Sequence, residues 1–395
     1  MLFDRLTALQ TYRTLWTAVL FWCGLVIVAS NYLTIPLMTI FHETFHVSLS
    51  NIAWVGSSFS LCYAIGSLFS GPLSDRFGRK QVIFWGLVLL TIITFVIPLF
   101  QNLLWIIILR CFQGLAAASF APVAIAFVVD KYAPEKMVST IGFISSGFLI
   151  SGIVGQLFSS YIADQFGWKF VFYYSGGIYL LTLVLVLLFL PKTDSKNKDS
   201  DWRAMIQQFV HLFKERKLIF AYTITITLLL TFVAFYTMIG DYLTEVFLLK
   251  EGSILYVRLV GILGMIFAPL AGILTNRIGL IKVLRGGLLL ATFGIIITGW
   301  SSNLYFLVTS SVIFVTGIAL TVPTLISLVG NLGGENRGAA VSLYAFILFV
   351  GASLGPIVAV TILTVGNYLI AFSLLALILM VSLTISLLLK SNPSN

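Results

Sequence analysis

Four groups of residues have the types and spacing to do chemistry. Residues 42–46 read His-Glu-Thr-Phe-His, so His42, Glu43 and His46 have the spacing of a helical zinc site with a general base beside it. Asp241 and Glu245 lie four residues apart, share one helix face and could bind and release a proton. Arg110 stands inside an apolar run, followed by Gln113 and Gly114 in the stretch LRCFQG. Such a cation can neutralise an anionic substrate or tune the proton affinity of a carboxylate; the plainer alternative is a structural arginine bonded to backbone carbonyls. Residues 71–80, GPLSDRFGRK, crowd Asp75, Arg76, Arg79 and Lys80 into one short turn of a chain in which only 9% of residues are charged.

The zinc reading lacks its other parts. The only further histidine is His211, which the topology below places across the membrane from the motif. Phe41, Phe45 and Val47 around the motif read as the end of an amphipathic helix running into a turn, and Ser50 or Asn51 can cap the next helix. No metal site is expected. No Gly-rich loop ends in Lys-Ser or Lys-Thr, so ATP-driven chemistry is unsupported, and no cofactor is expected.

The elements that must position these residues are membrane helices. The chain is 59% hydrophobic, and its charged fraction is far below the roughly 25% of soluble domains. Apolar runs of about 18 or more residues recur, long enough to cross a bilayer as helices that satisfy their own backbone hydrogen bonds. No cleavable leader is read at the polar, basic N-terminus MLFDRLTALQTYRTL. Cys23, Cys62 and Cys111 fall inside spans, form no motif and are expected as buried thiols without disulfides.

Twelve spans are predicted, at 16–39, 51–71, 81–100, 103–129, 138–161, 169–190, 218–240, 254–274, 282–300, 304–330, 338–363 and 367–389. The domains are a six-helix bundle over 1–190, a connection over 191–217 and a second six-helix bundle over 218–395. Of the 23 lysines and arginines, all but Arg110, Lys169, Lys250 and Arg258 fall in the termini and the even-numbered loops. That bias places both termini in the cytoplasm. The net charge of +9, which in a soluble protein would suggest nucleic acid, is thereby assigned to cytoplasmic loops, and no nucleic-acid partner is expected. In the central connection, Trp202, Met205, Ile206, Phe209, Val210 and Phe213 recur at helical steps and read as an amphipathic helix on the inner leaflet, or as a flexible tether.

The opening turn recurs. Gly71-Pro-Leu-Ser-Asp75-Arg76-Phe-Gly78 is echoed by Gly272-Ile-Leu-Thr-Asn276-Arg277-Ile-Gly279, at an offset of 201 residues. Gly147, Ser151 and Gly155 in the fifth span are echoed by Gly351, Gly355 and Ala359 in the eleventh, spacings that let helix backbones approach closely. Gly114 and Pro122 are echoed, at a different spacing, by Gly317 and Pro323.

Two parallel six-helix repeats joined by a cytoplasmic connection resemble the major facilitator superfamily of secondary transporters, in its twelve-helix drug:proton antiporter type. The resemblance covers nearly the whole chain. GPLSDRFGRK matches the family's signature between helices 2 and 3 at nearly every position, and LRCFQG resembles the helix 4 signature of proton-coupled members. The stretch Gly147–Gln156 resembles the antiporter signature of helix 5 imperfectly: Ser151-Gly152 stands where exporters show Gly-Pro, a pair found here as Gly355-Pro356 in helix 11.

The resemblance implies an all-α membrane protein of two pseudo-symmetric bundles working by alternating access. It implies a gate built from Gly71, Asp75, Arg76, Gly78, Arg79 and Lys80, with Asp75 near the start of helix 11 and Asp130 as a partner for an arginine; the alternative is a solvated basic turn that only fixes topology. A cavity lined by helices 1, 4, 7 and 10 would draw on Asn31, Tyr32, Gln113, Tyr222 and Tyr236, among Phe, Leu and Ile neighbours that suit an amphipathic ligand; any of these side chains could equally face lipid. Asp241 is the expected titrating group, coupled to Arg110 or Arg258, unless both it and Glu245 lie exposed in a loop. The expected function is proton-coupled efflux of small amphipathic compounds across a bacterial plasma membrane, by a monomer whose partners are its substrate, protons and the bilayer. The alternatives are export of a specific metabolite such as a sugar or amino acid and, from another class, a membrane-embedded sensor or zinc peptidase.

Overall fold

The computed structural model describes residues 2–193, 209–249, 251–301, 303–363 and 367–389; at a few of these, including residues 2–12, Glu335 and Pro356, only the backbone is described. Among the described residues all regular structure is helical. The chain forms two compact units. The first takes in Met1–Asp130 and Gly147–Trp202, the second Lys131–Ser146 and Arg203–Asn395.

In the first unit, α1 (Leu2–Ala29) ends well before the predicted limit at residue 39. Residues 30–37 turn, because Ser30, Asn31 and Thr34 are turn formers and Pro36 has no N–H to donate. A short helix α2 (Met38–Phe45) follows, then α3 (Leu49–Phe77), α4 (Arg79–Val96), α5 (Leu103–Ala117) and α6 (Ala121–Lys131). The long α7 (Pro134–Phe166) and α8 (Trp168–Phe189) complete it, the first part of α7 grouping with the second unit. α2 explains the zinc-like spacing. Phe41 is buried against Trp168 with ring centroids 5.2 Å apart, Phe45 packs beside it, and His42, Glu43 and His46 are exposed. The histidine spacing is thus the outer face of an amphipathic turn. His42 Nδ1 lies 2.7 Å from the Val47 carbonyl, so that nitrogen carries the donated hydrogen.

The second unit contains α9 (Arg216–Glu245), α10 (Glu251–Met265), α11 (Leu270–Ile278), α12 (Leu280–Trp300), α13 (Leu304–Leu332), α14 (Arg337–Leu363) and α15 (Tyr368–Leu388). α10 and α11 share one predicted span, bent by 40° where Pro269 interrupts the backbone ladder. Phe235 and Phe314, with ring centroids 4.3 Å apart, and Phe372, 5.9 Å from Phe235, tie α9, α13 and α15 together.

Nine helices among the described residues are long and apolar enough to cross a membrane, or ten if the bent pair is one span, against the twelve predicted. The break in α1 leaves only Arg13–Ala29 as its apolar stretch. One expectation is corrected: Cys62 and Cys111 are joined as a disulfide, with Cα atoms 5.3 Å apart across α3 and α5, while Cys23 is a free buried thiol. The surface helix expected around Trp202, Met205 and Ile206 lies outside the described residues.

Candidate functional site

The charged turn is built from a continuous helix and a single glycine. Gly71 through Phe77 belong to α3, and the chain reverses on Gly78 alone, at φ 95° and ψ 143°. That backbone region is open essentially to glycine only. Gly71 is therefore not a turn residue; its carbonyl accepts from Arg79 Nη1 at 3.3 Å. Arg79, first residue of α4, is 5% exposed and forms the hub. It pairs with Asp75 one turn back and with Asp130 at the C-terminal end of α6, Nε to Oδ2 3.3 Å, and donates to Ser74 Oγ. A guanidinium presents five donors in a rigid fork, so one side chain can hold two carboxylates and two further acceptors. Arg76 is exposed over the Phe77 ring.

Lys80 points elsewhere. Its ammonium donates to the carbonyls of Leu187 and Leu190 at 2.7 and 2.5 Å, capping the last turn of α8, where backbone acceptors lack partners. Its backbone N–H donates to Thr193 Oγ1 at 3.2 Å, so the first residues after α8 cap the start of α4 in return.

Arg110 lies fully buried in α5, at the centre of a second network. Its Nε donates to the Val55 carbonyl at 3.1 Å, and Nη1 donates to the Ser30 carbonyl at 3.0 Å and to Gln113 Oε1 at 2.6 Å. Gln113 passes the chain on to Thr94 Oγ1 at 2.7 Å. The guanidinium sits 4.3 Å from the centroid of the Phe59 ring. Ser30 is the first residue of the break in α1, so Arg110 supplies a partner for a carbonyl that the lost helix ladder releases. Ser159 Oγ does the same for Leu33 at 2.5 Å. On the break itself, Asn31 Oδ1 accepts from Ser60 Oγ at 2.6 Å, and Tyr32 lays its ring against Gly152, where a methyl group would stand 3.5 Å from the ring.

The small-residue stripe is a packing seam. A side chain at Gly147 or Gly155 would come within 2.9 Å of the carbonyls of Phe21 and Ala29, so α7 rides directly on α1, with Ser151 Oγ turned back to the Phe148 carbonyl. In the second unit Gly351 and Gly355 do the same for α14 on α9, where a side chain would meet the Ile226 carbonyl at 2.2 Å and Val233 at 2.7 Å.

On α9, the Tyr222 hydroxyl donates to the Ala340 carbonyl at 3.2 Å inside the second unit. Tyr236 accepts a bond on its backbone carbonyl from Arg258 Nη2 at 3.3 Å, and its hydroxyl, buried against Gly261, has no hydrogen-bond partner among the described residues. Asp241 and Glu245 are exposed near the end of α9 and converge on one group absent from the sequence expectations: the Tyr368 hydroxyl, 3.0 Å from Asp241 Oδ2 and 2.9 Å from Glu245 Oε2. The carboxylate pair was legible from its spacing, but nothing local marks Tyr368 as its partner. Thr94, Ser60 and Ser159 were missed for the same reason, since each meets its partner only through tertiary packing.

The comparisons with known proteins agree with this architecture. The Major Facilitator Superfamily model matches residues 20–332 and 248–395, and the chain belongs to that family of transporters. It is similar to an uncharacterized transporter of Buchnera aphidicola subsp. Schizaphis graminum, 28% identical over 80% of this chain and 77% of that one. It is also similar to the multi-drug resistance efflux pump PmrA of Streptococcus pneumoniae serotype 4, 30% identical over 42% of each chain. In fold it is similar to the Escherichia coli fucose:proton symporter FucP, with TM-score 0.76 and 15% identity over 95% of this chain and 98% of that one. The chain is thus a membrane transporter and not an enzyme.

Proposed function

We propose that this transporter exports small amphipathic compounds in exchange for protons, by alternating access, from a bacterial plasma membrane. The observation that carries the proton part is the arrangement of Asp241, Glu245 and Tyr368. A phenol has one hydrogen and two carboxylates lie within hydrogen-bond distance of it. It can serve one carboxylate at a time, and a second bond forms when one carboxyl gains a proton. Asp241 is the titrating group of this reading. The name of the PmrA relative supports efflux. The turn at Gly78 supports gating: Arg79 gathers two carboxylates, and their release would free three charges at the inner face.

The test uses everted membrane vesicles energised to an acidic interior and a pH-sensitive dye, challenged with neutral drugs, lipophilic ions, sugars and amino acids. Collapse of the gradient by an amphipathic compound, only in vesicles carrying this protein, is the expected result. Counterflow without any proton movement overturns proton coupling. Asp241→Asn should flatten the pH dependence of transport; an unchanged pH profile removes Asp241 from the mechanism.

A further inference from the structure

Three helices of this chain start in the same way. An asparagine precedes each of α5, α13 and α15, and the side chains of Asn102, Asn303 and Asn367 accept from the N–H of the second helical residue at 2.8, 2.8 and 2.9 Å. Each bond satisfies one of the four N–H groups that the start of a helix leaves without an intrahelical partner. α4 cannot be capped in this way. The residue before it, Gly78, turns at φ 95° in a backbone region open essentially to glycine, and glycine has no side chain to offer. Thr193 takes that place from 113 residues along the chain: its Oγ1 accepts from the N–H of Lys80, the second residue of α4, at 3.2 Å. The bond has the donor position of an N-cap, with the cap supplied by the segment that follows α8.

Thr193 is held for this task from several directions. It is 7% exposed. Its carbonyl lies so close to Gly78 that a side chain there would stand 2.6 Å from it. The Lys80 ammonium bonds the carbonyls of Leu187 and Leu190, which fixes the end of α8 three residues before Thr193. Thr193 therefore touches the residues on both sides of Arg79, Gly78 through its carbonyl and Lys80 through its hydroxyl. The Arg79 guanidinium must reach Gly71, Ser74 and Asp75 on α3 and Asp130 on α6 at once. A rigid fork meets four acceptors on two other helices only when its own backbone root is fixed.

We infer that Thr193 is a positioning residue of the Arg79 hub, acting through the backbone of α4 to keep Arg79 where it can gather Asp75 and Asp130. This rests on the gating reading and deepens it, adding to the gate a residue that lies outside the stretch GPLSDRFGRK, where the connection between the two bundles begins.

Thr193→Val keeps the shape and removes the acceptor, whereas Thr193→Ser keeps the acceptor. Amide hydrogen exchange on the detergent-purified full chain reads the hub without any substrate. In Thr193→Val, exchange should quicken about fivefold over residues 79–82, the loss of one neutral hydrogen bond, and should quicken also over residues 128–133 around Asp130, with Thr193→Ser like wild type. A change confined to residues 79–82, or no change, makes Thr193 an ordinary helix cap and overturns the inference. Transport is followed in everted vesicles with N-phenyl-1-naphthylamine, a neutral fluorescent amphipath. Thr193→Val should lower turnover about fivefold at an unchanged KM. Combined with Asp75→Asn it should be no slower than Asp75→Asn alone, because both act on one hub. Losses that multiply overturn the inference and leave gating standing. Normal turnover in Asp75→Asn overturns the gating reading itself, and the exchange result then decides separately whether Thr193 holds Arg79.

Discussion

The turn at residues 71–80 and its echo at 272–281 share a backbone and differ in nearly every interaction. Gly78 and Gly279 adopt almost the same conformation, φ 95° and ψ 143° against φ 90° and ψ 149°, and each joins two helices with no other loop residue. Around Gly78 stand Asp75, Arg79 and Lys80; the matching positions hold Asn276, Leu280 and Ile281. The first turn is an ionic hub that reaches Asp130 and the end of α8. The second is a neutral dock on the start of α7: Asn276 Nδ2 donates to the Glu135 carbonyl at 2.8 Å, and Gly272 lets Ser139 approach so closely that a side chain there would meet it at 2.3 Å. The shape belongs to the glycine and the flanking helices. Asp75, Arg79 and Lys80 are an addition to that shape, present in one copy, whereas Arg76 recurs as Arg277. One device survives in both copies. Arg285, one helical turn past the position matching Lys80, donates to the carbonyls of Ser386, Leu387 and Leu389, capping α15 as Lys80 caps α8.

The comparison can be broken most directly at the glycines. Any side chain pays about 1–3 kcal/mol for this backbone region. At Gly78 it would also stand 2.6 Å from the Thr193 carbonyl and 2.5 Å from Gln81 Oε1, whereas nothing lies within 4 Å at Gly279. Gly78→Val should therefore lower the unfolding temperature of detergent-purified protein well beyond Gly279→Val. Equal losses at the two sites would mean that strain alone matters and that the packing against Thr193 is loose.

Asp75→Asn should slow transport about tenfold, equal to about 1.4 kcal/mol in the barrier, without reducing the amount inserted. The reciprocal Asn276→Asp loses one exposed hydrogen bond and should cost about 0.5 kcal/mol in stability, with transport kept. Normal turnover in Asp75→Asn would reduce the first turn to a topology signal like the second. The smallest expected effect is at the caps. Lys80→Met and Arg285→Met should each cost about 0.5–1 kcal/mol, read as small and similar shifts in unfolding temperature, because each removes a cation from the carbonyl end of a helix. A large loss of transport in Lys80→Met alone would assign the lysine to the gate instead.

Composition and spacing alone pointed to an all-helical membrane protein, to turns on two glycines, and to where helix backbones touch. Apolar runs, glycine turns at Gly78 and Gly279, and the spacing of Gly147, Gly155, Gly351 and Gly355 are local signals, and local backbone and solvation energetics decide them. The sequence reading set Asp75 near the start of helix 11 and did not pair it with Arg79, four residues on, which the structure does. Asp130, 51 residues from Arg79, came from its place at the inner end of its span. The tertiary structure alone decided the rest. It supplied partners for the break that local turn formers and Pro36 start after α1, because Arg110 and Ser159 take up the released carbonyls from other helices. It set Tyr368 between Asp241 and Glu245 across separations of 127 and 123 residues, and among the described residues it left Nη2 of Arg110 without an acceptor. Such arrangements depend on which helix faces meet and how closely. That is a property of the packed bundle, where each side chain's partners come from elements that no local window of sequence contains.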